Sequence, residues 1–278
     1  MYGREHRFYR DVAQDLALRT PRLYSSVLRP ETGDSVLLLE DLAPAQTLNM
    51  LEGCTAEDAA FALRHLAAFH AAWWEHPRLR VLDWLPAFDE QAEEDQKQYA
   101  QAWEVFLNRV GHLAPDGIVP LGAKLRHHIV AVKRYLGQHP ETFVHGDFHL
   151  NNLLFGSTPG ARTLTVIDWQ ACSRGCAMRD CAFFLVTALP PDRRRAHEME
   201  LLKLYYTILT EHGVEEHSFE QCLHDYRFTM LDLLYFLVMI LAYIDFSMNA
   251  AAGMIRDMVI ERVCAAILDH NASELLRE

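Results

Sequence analysis

The stretch FVHGDFHLNNLLF, Phe143 to Phe155, constrains this chain more than any other. Two histidines, an aspartate and two asparagines lie between two short apolar segments of strand character. Buried surroundings tolerate that many polar groups only where each finds a partner or a ligand. The pattern puts Asp147 on a loop leaving one strand and Asn152 at the start of the next. Thirteen residues after Phe155 comes VIDWQ, with Asp168 at the end of a further strand. Asn152 and Asp168 offer a neutral and an anionic oxygen, a set that suits Mg²⁺ held together with phosphates. Asp147 is then free to accept a proton from an attacking hydroxyl. Phosphoryl transfer requires those parts: a metal, an in-line nucleophile and a base that orients it.

Composition narrows the classes. With 278 residues the chain can bury a sizeable core in one large domain or two modest ones. The formal charge of -12 repels phosphate backbones, which argues against nucleic acid as a partner. Six cysteines follow no disulfide spacing, and CSRGCAMRDC lacks the paired C-x2-C of common zinc sites, so the thiols read as small buried groups in a reducing, cytoplasmic setting. The apolar run LLYFLVMILAYI, Leu233 to Ile244, has 12 residues, too few to span a bilayer, and Asp232 and Asp245 bracket it. It reads as a buried helix at the centre of a helical body, with no membrane partner.

Periodicity outlines an α+β chain. REHRFYRDVAQDLAL carries Phe8, Val12 and Leu16 at helical spacing. RLYSSVLR and SVLLLE flank the turn residues PETGD, an antiparallel hairpin pattern. Thr55, followed by Asp58, marks a helix start from which a long helix runs to about His76. Further helices are expected near 88–110 and 121–138. TFVH, NLLF and TLTVID form a small β patch, the last two joined by GSTPGA, and from Arg179 onward the pattern is helical, punctuated by LPPD, Gly213 and Gly253. The acidic DEQAEEDQ reads as a solvated face.

HGDFHLNN resembles the H-x-D-x-x-x-x-N loop of the aminoglycoside phosphotransferase and choline-kinase-like families, distant relatives of protein kinases. VIDWQ followed by RGCAMRDCAFFL is similar to the metal-Asp segment of their ecdysteroid-kinase-like branch; VLLLEDL resembles the hinge between two lobes, and EHRFY the start of the helix carrying the glutamate that pairs with the ATP-binding lysine. The motifs stand in the family's order from Glu5 to about Leu185. The resemblance implies a protein-kinase-like fold, with a partial small lobe over 1–41 and a mainly helical large lobe over 42–278. It implies Asp147 as catalytic base, and Asn152 and Asp168 as Mg²⁺ ligands. Glu40 and Leu42 would offer backbone groups to the adenine of ATP, and Leu154 and Ile167 would floor that ring. His145 would steady the loop, Asp180 would brace it from a helix start, and Glu5 would be the lysine's partner. His149 has no family role and reads as a loop or surface histidine; Trp169 and Gln170 read as local packing.

The departure from the family pattern lies at the start. The four lysines, Lys97, Lys124, Lys133 and Lys203, all follow the hinge, and no G-x-G occurs. The Gly-rich loop and lysine strand that grip the phosphates are therefore missing from this sequence, which is expected to be a fragment or a short form with an open hairpin edge suited to self-association. The leading expectation is transfer of the γ-phosphate of ATP or GTP to a hydroxyl of a small molecule, impaired by that loss. The acceptor stays open among aminoglycosides, amino alcohols and sterol-like alcohols. A non-catalytic, pseudokinase-like scaffold is the alternative. A metal-dependent hydrolase would need further ligands, and only His145 and His149 are at hand.

Overall fold

A computed structural model describes residues 2–29, 31–138 and 140–276. The chain opens with α1 (Tyr2–Asp11), followed by β1 (Leu23–Arg29) and β2 (Asp34–Leu39). The first helix is shorter than its apolar spacing predicts: Phe8 and Val12 are buried, but the backbone passes through one 3-10 turn at Ala13–Asp15 and is extended at Leu16. β1 and β2 pair antiparallel with Arg29 opposite Asp34, and Gly33 takes the left-handed conformation that the turn needs. The hairpin stands as its own two-stranded sheet with Tyr24, Val36 and Leu38 exposed.

Next come α2 (Ala56–Ala72), α3 (Arg78–Val81), α4 (Ala92–Val110), α5 (Ile118–Leu125) and α6 (Ile129–Gln138). Thr55 caps α2 in a reciprocal box: its hydroxyl accepts from Asp58 N at 3.0 Å, and Asp58 accepts from Thr55 N at 3.1 Å. The helix stops before His76 because the backbone turns away. Glu75 has a positive φ of 50° and its N–H bonds to Glu141 O at 2.7 Å. Phe88, expected in a helix, instead donates its N–H to Arg174 O at 3.0 Å, so α4 begins only at Ala92. The segment 121–138 is two helices, broken at 126–128.

The region of the polar loop holds β3 (Glu141–Val144), β4 (Leu153–Thr158), β5 (Ala161–Val166) and β6 (Ser173–Cys176). β4 and β5 form a hairpin, closed by Gly160 at positive φ. β3 does not join them. It pairs with β6, a strand that the sequence pattern does not announce. Four helices complete the chain: α7 (Met178–Ala188), α8 (Pro191–Glu211), α9 (Phe219–Tyr243) and α10 (Ala250–Asp269). Gly213 ends its helix region at positive φ, whereas Gly253 lies inside α10; the break falls at 244–249 instead.

Helix α9 is the axis of the body and packs against α4, α6, α7 and α10. The predicted Leu233–Ile244 run belongs to it. At 25 residues the whole helix is long and apolar enough to cross a membrane by length and composition; in this fold its buried face carries Asp225, Thr229 and Asp232. Asp232 does not bracket the helix but is sealed within it, 3.0 Å from Lys133 Nζ and 3.3 Å from Arg179 Nε. Lys133 also lies 4.2 Å from the Phe88 ring centre and 4.0 Å from that of Tyr235. A buried charge network of this kind is weak evidence of net stabilisation, but losing one member is costly. Asp232→Ala removes the carboxylate partner of Arg179 and leaves Lys133 with Asp95 alone, 3.7 Å away, and is expected to cost about 3–5 kcal/mol in urea unfolding. A cost below about 1 kcal/mol would mean that the cations reach solvent.

Candidate active site

The strand pair β3–β6 delivers the loop, and a helix start fixes it. Asp180, in the first turn of α7, is 1% exposed. Its carboxylate accepts the backbone N–H of His145 at 2.6 Å and of Gly146 at 2.8 Å. His70 Nε2 lies 3.2 Å from the same carboxylate, and His70 Nδ1 is 2.6 Å from the Tyr205 hydroxyl. Burial alone would push the Asp180 carboxyl up; the His70 hydrogen bond, the neighbouring His145 ring and the Gly146 N–H outweigh it and hold it below the usual range. Gly146 itself has a φ of 84°, and a Cβ there would meet Ala171 O at 2.4 Å, so both backbone freedom and close approach require glycine.

His145 is fully buried. Asp147 N donates to its Nδ1 at 3.1 Å, so the proton sits on Nε2, which donates to Ile167 O at 3.0 Å. One ring thus ties the Asp147 loop to the segment carrying Asp168. Burial lowers its pKa, in keeping with a neutral imidazole.

Asp147 and Asn152 meet directly. Asn152 Nδ2 donates to the Asp147 carbonyl at 2.9 Å and to Asp147 Oδ2 at 3.1 Å. With its nitrogen so committed, Asn152 keeps its amide oxygen for another ligand. Burial raises the Asp147 carboxyl, but its neighbours His149 and His145 and the Asn152 amide hold it below the ordinary carboxylate range, and therefore ionised at neutral pH.

Asp168 follows β5 and is joined to the same framework, since Ile167 N donates to Asn152 O at 3.0 Å. Its backbone is left-handed, φ 63° and ψ 69°, one of three non-glycine residues with positive φ among the described residues. Such strain costs of order 1–3 kcal/mol and concentrates at functional sites. Gln170 Nε2 donates to Asp168 Oδ2 at 3.3 Å, and Trp169, stacked on Phe8 at 4.0 Å, anchors α1 against this turn. That contact brings Glu5 beside Asp168: Glu5 Oε1 accepts from Trp169 N at 3.4 Å. Burial and the Asp168 charge raise the Glu5 carboxyl. Among the described residues no cluster of three or more His, Cys, Asp or Glu could hold a metal. A cation here would rest on Asn152, Asp168 and the oxygens of a phosphate ligand, and the neutral and anionic oxygens present fit Mg²⁺.

At the hinge, Glu40 N donates to Arg22 O and Ala45 N donates to Leu42 O, both at 2.9 Å. No other backbone group among the described residues engages the Glu40 carbonyl or the Leu42 N–H. The Glu40 side chain is held by Arg19 Nη2 at 2.8 Å, and Arg19 also bonds Thr165. Glu40 and Leu42 line a cavity of about 410 Å³; Leu154 and Ile167 are not among the residues lining it, although Leu154 shares a face of the β4–β5 pair with its partner Thr165.

Two features escape the sequence reading. His149 is no surface histidine: its side chain is 17% exposed and 3.4 Å from Asp147 Oδ2. Asp147 and His149 also line a second cavity, about 510 Å³, walled by Met50, Phe183, Phe236, Met239 and Ile240. The recurrence of Phe236, Met239 and Ile240 at helical spacing was a visible signal, but helical spacing alone does not separate a core face from a cavity wall. The six cysteines are buried free thiols, as their spacing suggests.

Asp180→Ala leaves the His145 and Gly146 N–H groups unsatisfied, at about 1–3 kcal/mol each. Its depressed carboxyl binds fewer protons folded than unfolded, so its contribution is present above roughly pH 4 and lost as pH falls through the folded value. Thermal unfolding across pH should therefore show the variant destabilised at neutral pH by several kcal/mol and less sensitive to acid than the wild type; equal acid limbs would contradict the brace.

Comparison with known proteins fits this geometry. No curated protein matches the chain. Among solved structures it is similar to a microcompartment-associated aminopropanol kinase, with 18% identity, a TM-score of 0.54 and coverage of 99% of this chain and 83% of that one. An amicoumacin kinase in complex with AMP-PNP and Ca²⁺ shares 11% identity at a TM-score of 0.59, over 95% of this chain and 77% of that one. A GDP complex of aminoglycoside 2'-phosphotransferase-IIIa shares 14% identity at 0.55, over 95% and 81%. At such identities the likeness shows the fold, which is the mixed α+β architecture of protein-kinase-like small-molecule phosphotransferases. The family model that matches is that of the ecdysteroid kinase-like family, over residues 3–215, and the chain belongs to that family.

Proposed function

We propose that this protein transfers the γ-phosphoryl group of ATP to the hydroxyl of an uncharged, largely apolar alcohol. The observation that carries the reading is the position of Asp147, an ionised carboxylate in the wall of an otherwise apolar cavity. Residues 1–41 then supply the nucleotide-binding side and 42–278 the catalytic body. At the hinge, the Glu40 carbonyl and the Leu42 N–H are one acceptor and one donor, the pair that adenine N6–H and N1 require. Asn152 and Asp168 would hold Mg²⁺, which would supply charge neutralisation at the phosphates. Asp147 takes the proton of the acceptor hydroxyl as its oxygen attacks the γ-phosphorus; the bond to the bridging oxygen breaks, and ADP leaves.

The cavity favours a neutral acceptor. Asp147 is the sole carboxylate among its lining residues, and His149 and Thr187 are the other polar ones. An ammonium group would lose its hydration there with no second anion to repay it. Several structural neighbours are named for amine-bearing substrates, such as aminopropanol and aminoglycosides. The name of the family, referring to ecdysteroids, supports the apolar reading.

Single-turnover assays with Mg²⁺–ATP are expected to phosphorylate apolar alcohols in preference to amino alcohols of equal size. Asp147→Asn should lower that rate about 10²–10⁴-fold, with the thermal shift on adding Mg²⁺–ATP unchanged. Preference for amines, or full activity in Asp147→Asn, would overturn the proposal.

A further inference from the structure

We propose that His149 is a positioning residue for this reaction: its Nε2–H clamps one oxygen of Asp147 so that the other faces the acceptor. The proposal rests on the phosphotransferase reading above. It begins with the tautomer. Nδ1 of His149 accepts the backbone N–H of Asn151 at 3.2 Å, capping the short 3-10 turn Leu150–Asn152. A neutral imidazole that accepts at Nδ1 carries its proton on Nε2. That nitrogen stands 3.4 Å from Asp147 Oδ2.

The Asn152 amide donates to the same oxygen at 3.1 Å, and its nitrogen is 3.4 Å from His149 Nε2. Two donors cannot bond one another, so both face the same acceptor, Asp147 Oδ2. Oδ2 accepts the Asn152 amide and has the His149 Nε2–H 3.4 Å away on its other side, while no hydrogen bond among the described residues reaches Oδ1. A base with one oxygen tied has a single free oxygen, fixed in direction, for the substrate hydroxyl. His149 keeps its own proton throughout: the acceptor proton passes to Oδ1 as the new O–P bond forms, and leaves to water after ADP departs.

The imidazole also ties the base to the acceptor wall. His149 meets the Phe183 ring edge-on at 6.0 Å, and Phe183 meets Phe236 edge-on at 5.0 Å. All three line the cavity that holds Asp147. An apolar acceptor pressing on these rings presses on the group that aims the carboxylate.

Two substitutions separate those roles. His149→Asn places an acceptor near the Nδ1 position and keeps the cap, but cannot reach Asp147 Oδ2. His149→Gln places an N–H near the Nε2 position and gives up the cap. Positioning predicts that His149→Asn lowers kcat roughly 10²-fold, the cost of about 1 Å of misplacement, with acceptor KM little changed, and that His149→Gln retains most of kcat. The reverse order, or wild-type kcat in both, would overturn it. If the wild-type protein phosphorylates no alcohol, the functional reading fails, and crystal structures of the three proteins decide the positioning claim alone. A single Asp147 conformer in the wild type and His149→Gln, with a rotated or split one in His149→Asn, would uphold it. The same Asp147 conformer in all three would refute it.

Discussion

The site depends on one buried carboxylate. Asp180 receives two consecutive backbone N–H groups of the loop, one on each carboxylate oxygen. Its negative charge is tolerable in a dry interior because His70, itself fixed by Tyr205, stands against it. Everything downstream inherits that geometry. His145 is set in one tautomer, its two ring nitrogens tie the Asp147 loop to the Asp168 turn, and Asn152 closes the loop back onto Asp147. The side chains that could do chemistry are therefore held by a second set that could not. This division is what a reaction limited by positioning and electrostatics asks of a protein.

Strain and like charge gather where the loop meets α1. Asp168 occupies a left-handed backbone conformation, and its charge, with burial, raises the neighbouring Glu5 carboxyl. Neither feature helps folding. Under the proposed function both would become favourable with a divalent cation bound, because such an ion offsets repulsion between neighbouring anions. A structure that maintains such a place by packing Phe8 on Trp169 is arranged for a ligand rather than for its own stability.

Much of this was legible in the residues, and the reasons differ by element. The Thr55–Asp58 box, the 22–40 hairpin and the catalytic loop were readable because local chemistry dictates them: a cap, a turn, and polar groups at fixed offsets. Asp180 was found as a brace only through family resemblance, since nothing local says that a helix-start aspartate will reach a loop 34 residues earlier. β6 was missed because SRGC has no strand pattern; its pairing is imposed by β3 and by the Arg174 carbonyl at Phe88. The overrun of α2 toward His76 has the same origin, a distant partner at Glu141 overriding helical propensity. The surroundings of His149 and the apolar cavity were hidden because both arise from α7, α9 and α10 meeting the loop, which is tertiary information.

The most direct measurement of the central claim is the place of the metal. Crystals grown with Mn²⁺ and AMP-PNP should show one anomalous peak coordinated by Asn152 Oδ1 and an Asp168 carboxylate oxygen together with phosphate oxygens, and Asp147 Oδ1 should stay off the metal and open to the apolar cavity. A peak bound elsewhere, or nucleotide bound with Asn152 and Asp168 turned away from it, would contradict the account.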